Sequence, residues 1–418
     1  MTKINKLFQG DKAIWIIFFF LCIISLIEVF SAASTLTYKS GSYWMPLIKH
    51  AAFLIVGTVV VLMVHNIPCR WFKIIPVFFL PVSIITLLML ILGLGTTTNG
   101  ASRWLEFFGI QFQPSEIGKG TLVIVVALIL STMQTETGAA KKAFKYIMIL
   151  TVCICGLIVT ENLSTAGLLF GVVIIMMFIG RVSLKQLGAL FTVLALGIVI
   201  FGAVIMSLPD RSKDEIHQAP GLHRMATWKN RISTHFGEKK KVSPKEFDID
   251  KDAQIAHANI AIATSHIIGK MPGNSVERDF LSQAFSDFIY AIIIEEMGLL
   301  GGAFVVFLYI VLLFRAGRIA SQCERNFPAF LVMGLAILLV SQATLNMMVA
   351  VGLFPVTGQP LPLISKGGTS TLINCAYVGM ILSVSRYAKK RQALREGEKN
   401  TDEIADITDE YYSEKGLV

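Results

Sequence analysis

Charge is what this chain has least of. Only 16% of its 418 residues are Asp, Glu, Lys or Arg, against roughly a quarter in a soluble domain, which excludes an ordinary water-soluble globule. Cysteine is sparse and poorly placed for crosslinking. Cys22, Cys69, Cys153, Cys155, Cys323 and Cys375 fall in apolar runs or short turns and none in the exported loops, so no disulfide framework is expected. Metal-ligand spacing is missing too, since Cys153 and Cys155 make only a Cys-x-Cys and His257 with His266 match no zinc pattern. No cleavable signal peptide is evident. The first apolar run is too long for one, and its Ser31-Ala32-Ala33 end leads into a further span, so it reads as a signal anchor.

What fills the chain instead is apolar: 54% hydrophobic residues and a mean hydropathy of +0.66. Runs long enough to cross ~30 Å of hydrocarbon occur at 13–34, 47–66, 73–95, 114–133, 146–161, 164–181, 187–208, 286–314, 328–351 and 367–387. Only Glu161, Asn162 and Ser164 separate the fifth from the sixth. The expected fold is an all-α polytopic membrane protein of ten transmembrane helices. Lys and Arg crowd alternate connections (Lys12, Arg70, Lys73, Lys141, Arg181, Arg325, Lys390), whereas the opposite set holds only Lys39, Lys49, Arg103 and Lys366. By the positive-inside rule both termini are cytoplasmic. The net charge of +9 is mostly this bias and no argument for nucleic acid. The expected organisation is a cytoplasmic N-terminus (1–12), helices one to seven (13–208), a large extracytoplasmic loop (209–286), helices eight to ten (287–387) and a disordered cytoplasmic tail (388–418).

Within the loop, 238–252 alternates Lys with Asp and Glu and reads as a solvated linker. Residues 253–268 read as a weakly amphipathic helix at the bundle mouth, ended by Gly269, Pro272 and Gly273. Arg224, Trp228, Arg231, Gln254 and Ser275 are candidate sugar or peptide contacts, each more simply a structural residue.

Residues 285–302 set Asp287 where polar sequence meets apolar and place Glu295 and Glu296 inside the apolar part. Ionised acids there cost about 2.5–3.5 kcal/mol each and tend to mark function. On its residues alone Asp287 is equally a helix N-cap. Glu116 and Lys119, three apart on a helix opened by Pro114, can neutralise each other inside a bundle. Lys366, Gly367, Gly368, Thr369 and Ser370 gather at a helix start, a pattern suited to phosphate. Taken alone, they read rather as a capped helix start with glycines for close packing.

Three motifs in order carry a family resemblance: Asn99-Gly-Ala-Ser-Arg-Trp followed by Gln-Pro-Ser-Glu-Ile-Gly-Lys119, Asp287-Phe-Ile-Tyr-Ala-Ile-Ile-Ile-Glu-Glu-Met-Gly298, and Pro355-Val-Thr-Gly-Gln-Pro-Leu-Pro-Leu-Ile-Ser-Lys-Gly-Gly-Thr-Ser370. The chain resembles the SEDS proteins (shape, elongation, division, sporulation) over about residues 10–390. Its Pro362-Leu-Ile-Ser-Lys-Gly-Gly-Thr-Ser370 is most like the division-specific FtsW branch, with the RodA branch second. One departure stands out: Glu161-Asn-Leu-Ser-Thr-Ala166 replaces the family's Pro-Asp-Leu-Gly-Thr-Ala. The resemblance implies polymerisation of lipid II into glycan strands on the outer face of the cytoplasmic membrane, by an inverting displacement. It implies Asp287 as the catalytic base, with Arg103, Lys119 and Lys366 near the pyrophosphates, Glu116 holding Lys119, and Gly367, Gly368, Thr369 and Ser370 lending donors. A divalent cation bridging Asp287 or a pyrophosphate fits that chemistry, but no all-protein ligand set supports it. The implied partners are a class B penicillin-binding protein and other divisome proteins at the septum. The alternatives are a lipid II flippase and a non-catalytic divisome scaffold.

Overall fold

The computed structural model describes residues 8–40, 44–98, 101–107, 109–207, 253–281 and 286–414. Each apolar run falls on a helix: α1 (Lys12–Ser40), α2 (Met45–Asn66), α3 (Ile75–Ile91), α4 (Pro114–Thr132), α5 (Lys141–Val159), α6 (Leu163–Ile179) and α7 (Leu184–Ser207) before the large loop, then α9 (Ile289–Ser321), α10 (Asn326–Ala350) and α11 (Thr369–Glu414), with the short α8 (Ala253–Thr264) in the loop itself. Among the described residues seven segments, on α1–α5, α9 and α10, are long and apolar enough to cross a membrane, while α6 and the apolar part of α7 are shorter. The chain is a mostly helical, polytopic membrane protein.

Local chemistry sets the helix ends. Proline stands in the first turn of α2, α3 and α4, where its missing N–H costs nothing. The narrow division between α5 and α6 is a cap: Asn162 Oδ1 accepts from the amides of Ser164 (3.0 Å) and Thr165 (3.3 Å). At the centre of the bundle stand α4, 72% buried over its apolar window, and α10, 61%; α2 and α3 are only 22% and 28% buried and turn Ile55, Phe78 and similar side chains outward.

The structure departs from the sequence reading in three places. First, α9 is broken. Its 33 residues would run about 50 Å unbroken, and Gly298 (φ 73°, ψ −178°) divides it. A side chain there would collide with the Ile267 carbonyl. Residues 289–296 are buried on every side, whereas Leu299, Leu300, Phe304 and Phe307 are exposed; residues 299–321 alone reach about 35 Å. The loop satisfies the backbone groups that the break frees: Lys270 and Met271 amides donate to the Glu295 and Glu296 carbonyls (both 2.9 Å), and the Leu299 and Leu300 amides donate to those of His266 and Ile267 (both 3.3 Å). Glu295 and Glu296 are therefore not bare acids in an apolar span. Glu295 accepts from Lys270 Nζ (2.7 Å), Ser275 Oγ and the Val276 amide (3.2 Å). Glu296 accepts from Ser31 Oγ and has Arg278 Nη1 at 3.7 Å.

Second, the fold is not purely helical. β1 (Thr96–Thr98), β2 (Ala101–Phe107) and β3 (Ile110–Phe112) form a small antiparallel sheet in that order. The strand formers Thr96–Thr98, Trp104, Phe107, Ile110 and Phe112 favour it, with Leu105 turned inward and Glu106 outward. A two-residue ladder, β4 (Gln134–Thr135) with β5 (Gly138–Ala139), follows α4. Third, the tail expected to be disordered continues α11 to Glu414, as its run of Gln, Ala, Leu, Arg, Glu and Lys favours. Gly301 and Gly302 are buried against Met297 and Ile294 of their own helix. The linker at 238–252 and Arg224, Trp228 and Arg231 lie outside the described residues.

Candidate functional site

Asp287 does not cap α9. The N-cap position is held by Phe288, whose side chain makes no capping bond. Instead Asp287 sits half-buried in the preceding turn, where Oδ1 accepts from Ser286 Oγ (2.9 Å). The turn is pinned from two sides. Asn346 Nδ2, on α10, donates to the Asp287 carbonyl (2.9 Å) and to that of Gln359 (2.7 Å). Ser365 Oγ donates to the Ser286 carbonyl (2.7 Å) and accepts from the Leu361 amide (2.8 Å). The loop between α10 and α11 is thus fastened directly to the residue's own backbone.

Arg103, from β2, reaches the same place. A Cβ built on Gly358 would lie 3.0 Å from Arg103 Nη1 and 3.6 Å from Asp287 Oδ2, so bare loop backbone (φ 69° at Gly358) runs against both. Burial lowers the pKa of the Arg103 guanidinium, while the Asp287 and Glu161 carboxylates act to raise it. Glu161 is buried beside them. Asn162 Nδ2 donates to the Thr357 carbonyl (3.2 Å) and Gln359 Nε2 to Thr165 Oγ1, which locks the α5–α6 junction to the loop.

The other candidates divide. Lys119 and Glu116 stand behind the loop: Lys119 is fully buried, and its Nζ donates to Glu116 Oε1 (2.7 Å) and Gln342 Oε1 (2.9 Å). Gln342 Nε2 in turn donates to the Pro360 carbonyl (3.1 Å), so this ion pair supports the loop from α4 through α10. Lys366 is exposed, next in sequence to the Ser365 that holds the Asp287 turn. Its pKa is lowered by partial desolvation and by the nearby cation Lys49, which lies near the start of α2. Gly367, Gly368 and Thr369 are partly exposed at the start of α11, Thr369 Oγ1 already donates to the Gln111 carbonyl (3.1 Å), and the buried Ser370 hydroxyl has no partner among the described residues.

Reading the sequence alone misses Gly358, Asn346 and Gln342 and counts Lys49 only as a topology charge. Two amides four residues apart in the apolar α10 were the available signal, because they share one helix face. Among the described residues no group of three His, Cys, Asp or Glu could hold a metal ion. The half-buried Asp287 carboxylate beside a guanidinium that Glu161 also flanks, with a cationic helix start further along the same loop, suits proton abstraction next to an anionic group.

The family model described as cell cycle protein, for FtsW, RodA and SpoVE, matches residues 11–390. The probable peptidoglycan glycosyltransferase FtsW of Trichlorobacter lovleyi is 29% identical over 391 residues, 92% of this chain and 95% of its own length. The protein of the same name from Hahella chejuensis is 31% identical over 361 residues, 85% and 83% of the two chains. Among solved structures, a chain of a peptidoglycan synthase complex superposes with a TM-score of 0.69 at 21% identity, covering 91% of this chain and 98% of that one. The rod shape determining protein RodA of Thermus thermophilus gives 0.60 at 20%, covering 90% and 97%. At those identities the likeness is one of fold.

Proposed function

The chain belongs to the FtsW, RodA and SpoVE family of cell cycle proteins, and from that premise we propose that it is a peptidoglycan glycosyltransferase polymerising lipid II on the outer face of the cytoplasmic membrane for septal wall synthesis. The observation that carries the mechanism is the Asp287 carboxylate, which does not occupy the helix N-cap and whose Oδ2, like Arg103 Nη1, faces the spot where a Cβ on Gly358 would stand. Converting an α-linked sugar pyrophosphate into a β-1,4 bond inverts the anomeric carbon in one displacement. Asp287 takes the proton of the acceptor hydroxyl as the new C–O bond forms, and the bond to pyrophosphate breaks with its electrons. Arg103 and the Lys366 helix start, with Gly367, Gly368, Thr369 and Ser370, bind the pyrophosphate charge. Lys119 and Glu116 act indirectly by holding the loop through Gln342. A divalent cation, if used, would draw its remaining ligands from the pyrophosphate.

In this reading α1–α7 and α9–α11 are ten spans, both termini are cytoplasmic, and the loop between α7 and α9 is exported. A class B penicillin-binding protein and other divisome proteins are the partners. The interruption of α9 at Gly298 favours a second reading, a lipid II flippase, because transporters build substrate sites at broken helices. Here, however, the four backbone groups beside the break are bonded to residues 266–271 and are not left for a substrate.

The test is glycan-strand synthesis from purified lipid II with the cognate penicillin-binding partner, wild type beside Asp287→Asn. Asn preserves the backbone contacts to Asn346 and Ser365, so a folded variant slowed about 10²–10⁴-fold is expected for loss of a general base. Polymer at the wild-type rate would remove Asp287 from the chemistry. An intact wild-type complex that moves headgroups across liposomes without making polymer would favour the flippase.

A further inference from the structure

At the end of the bundle opposite Asp287, where α4 ends after about 28 Å of helix, two cavities of about 570 and 880 Å³ share a wall made by Pro68, Cys69 and Tyr387. Lys12, Arg386, Lys389 and Lys390 line the larger lobe, and Arg70, Lys73, Arg325 and Arg391 the smaller; Glu324 is the only acid among the residues lining either. An excess of inner-face cations is expected of any such protein, but not the collection of eight around one concavity. Several are held in place by neutral groups. Arg386 donates to Asn66 Oδ1 (3.1 Å) and to the Asn66 carbonyl (3.0 Å), and Lys389 Nζ to the Gly10 carbonyl (2.8 Å). Lys73 lies over the Phe327 ring at 5.4 Å and Arg391 over Tyr387 at 5.8 Å. These contacts fix position without cancelling charge.

We infer that this basin binds the phosphate headgroup of an anionic glycerophospholipid. A phosphodiester fits better than a soluble anion because the basin opens among the ends of membrane-crossing helices. Its rim carries exposed Ile67, Trp71 and Ile74, with Arg70 over the Trp71 ring at 5.9 Å, an aromatic at headgroup depth leading onto an apolar face that acyl chains can follow. Two lobes accommodate two phosphates, so a diphosphatidyl lipid engages both and phosphatidylglycerol one. The function proposed above enters only in naming the leaflet as the inner one.

The full chain, released from vesicles of phosphatidylethanolamine, phosphatidylglycerol and cardiolipin, is weighed by native mass spectrometry, which reads retained lipid without any catalytic assay. One anionic lipid should remain bound and the zwitterionic one should not. Lys390→Gln with Arg391→Gln takes one cation from each lobe; at about fivefold per cation affinity falls about 25-fold at low salt. Lys141→Gln with Lys142→Gln, inner-face charges outside the basin, leaves it unchanged. If the first pair melts early, Arg70→Gln alone should give about fivefold. Equal loss in the control pair, unchanged retention in the basin variants, or equal retention of phosphatidylethanolamine would overturn the inference. So would binding that emerges only after residues 396–418 are removed, since the acidic tail would then be the occupant.

Discussion

Replacing Gly358 by Ala perturbs the proposed centre with the smallest possible group. Two costs are readable from the structure. At φ 69° an L-residue pays about 1–2 kcal/mol for the left-handed conformation, a fraction of the 5–15 kcal/mol that holds a typical domain together. The new methyl would stand 3.0 Å from Arg103 Nη1 but at an ordinary 3.6 Å from Asp287 Oδ2, so the guanidinium must retreat by a few tenths of an ångström while the carboxylate stays. A 1 Å misplacement can cost about 10²-fold in rate; the shift here should cost roughly three- to tenfold. Gly352→Ala is the matched control. It has nearly the same backbone angle (φ 73°), yet its methyl would find only Asn259 Oδ1 at 3.6 Å. Both variants, purified with the cognate partner, are compared by thermal melting and by initial rate of glycan synthesis. Equal melting shifts with a rate loss confined to Gly358→Ala are expected. Equal rates in the two variants would refute the placement of Arg103 and Asp287 at that loop.

Lys119→Met leaves the Glu116 carboxylate, 3% exposed, without its cation and should destabilise by about 3–5 kcal/mol; adding Glu116→Gln should recover much of that, and strictly additive losses in denaturant melts would contradict the buried pair. Asn162→Asp restores the family's acid and keeps the cap on α6 but sets a carboxylate against the Thr357 carbonyl, so it should lower stability by about 1–3 kcal/mol, detectable as a lower melting temperature. Because partial desolvation and Lys49 lower the Lys366 pKa, its ammonium is lost at a lower pH than that of an unperturbed lysine, and polymerisation should fall on the alkaline side; Lys366→Arg, which stays charged, should move that limb upward, and an unmoved limb would take Lys366 out of pyrophosphate binding. Gly298→Ala forces a side chain into the Ile267 carbonyl and should reduce the yield of folded protein, as measured by monodispersity in detergent.

The helices were legible because each rests on a local property, about 20 apolar residues in a row; the narrow gap between α5 and α6, marked in the sequence only by Glu161, Asn162 and Ser164, proves to be a cap by Asn162. The break in α9 was not. A glycine in an apolar run is common, and what converts Gly298 into an interruption is residues 266–271, whose amides and carbonyls arrive from the other side of a turn to replace the lost helical bonds. The same long-range partners decide the fate of Glu295 and Glu296, which look like acids in lipid until Lys270, Ser275, Ser31 and Arg278 are brought to them.

For the site, motif residues could be named but not sorted. Lys119 and Lys366 are the same residue type, each a few positions from a helix start, and nothing in their neighbours says which one meets substrate. α10 separates the two: Gln342 accepts from Lys119 and closes it into the bundle, while the loop that α10 launches carries Lys366 near Lys49. Gln342 and Asn346 therefore do by hydrogen bonding what no local pattern could disclose. They fasten the proline-rich loop as a wall along which Asp287 and Arg103 are aligned, and neutral amides can do so without adding the desolvation cost of further buried charge.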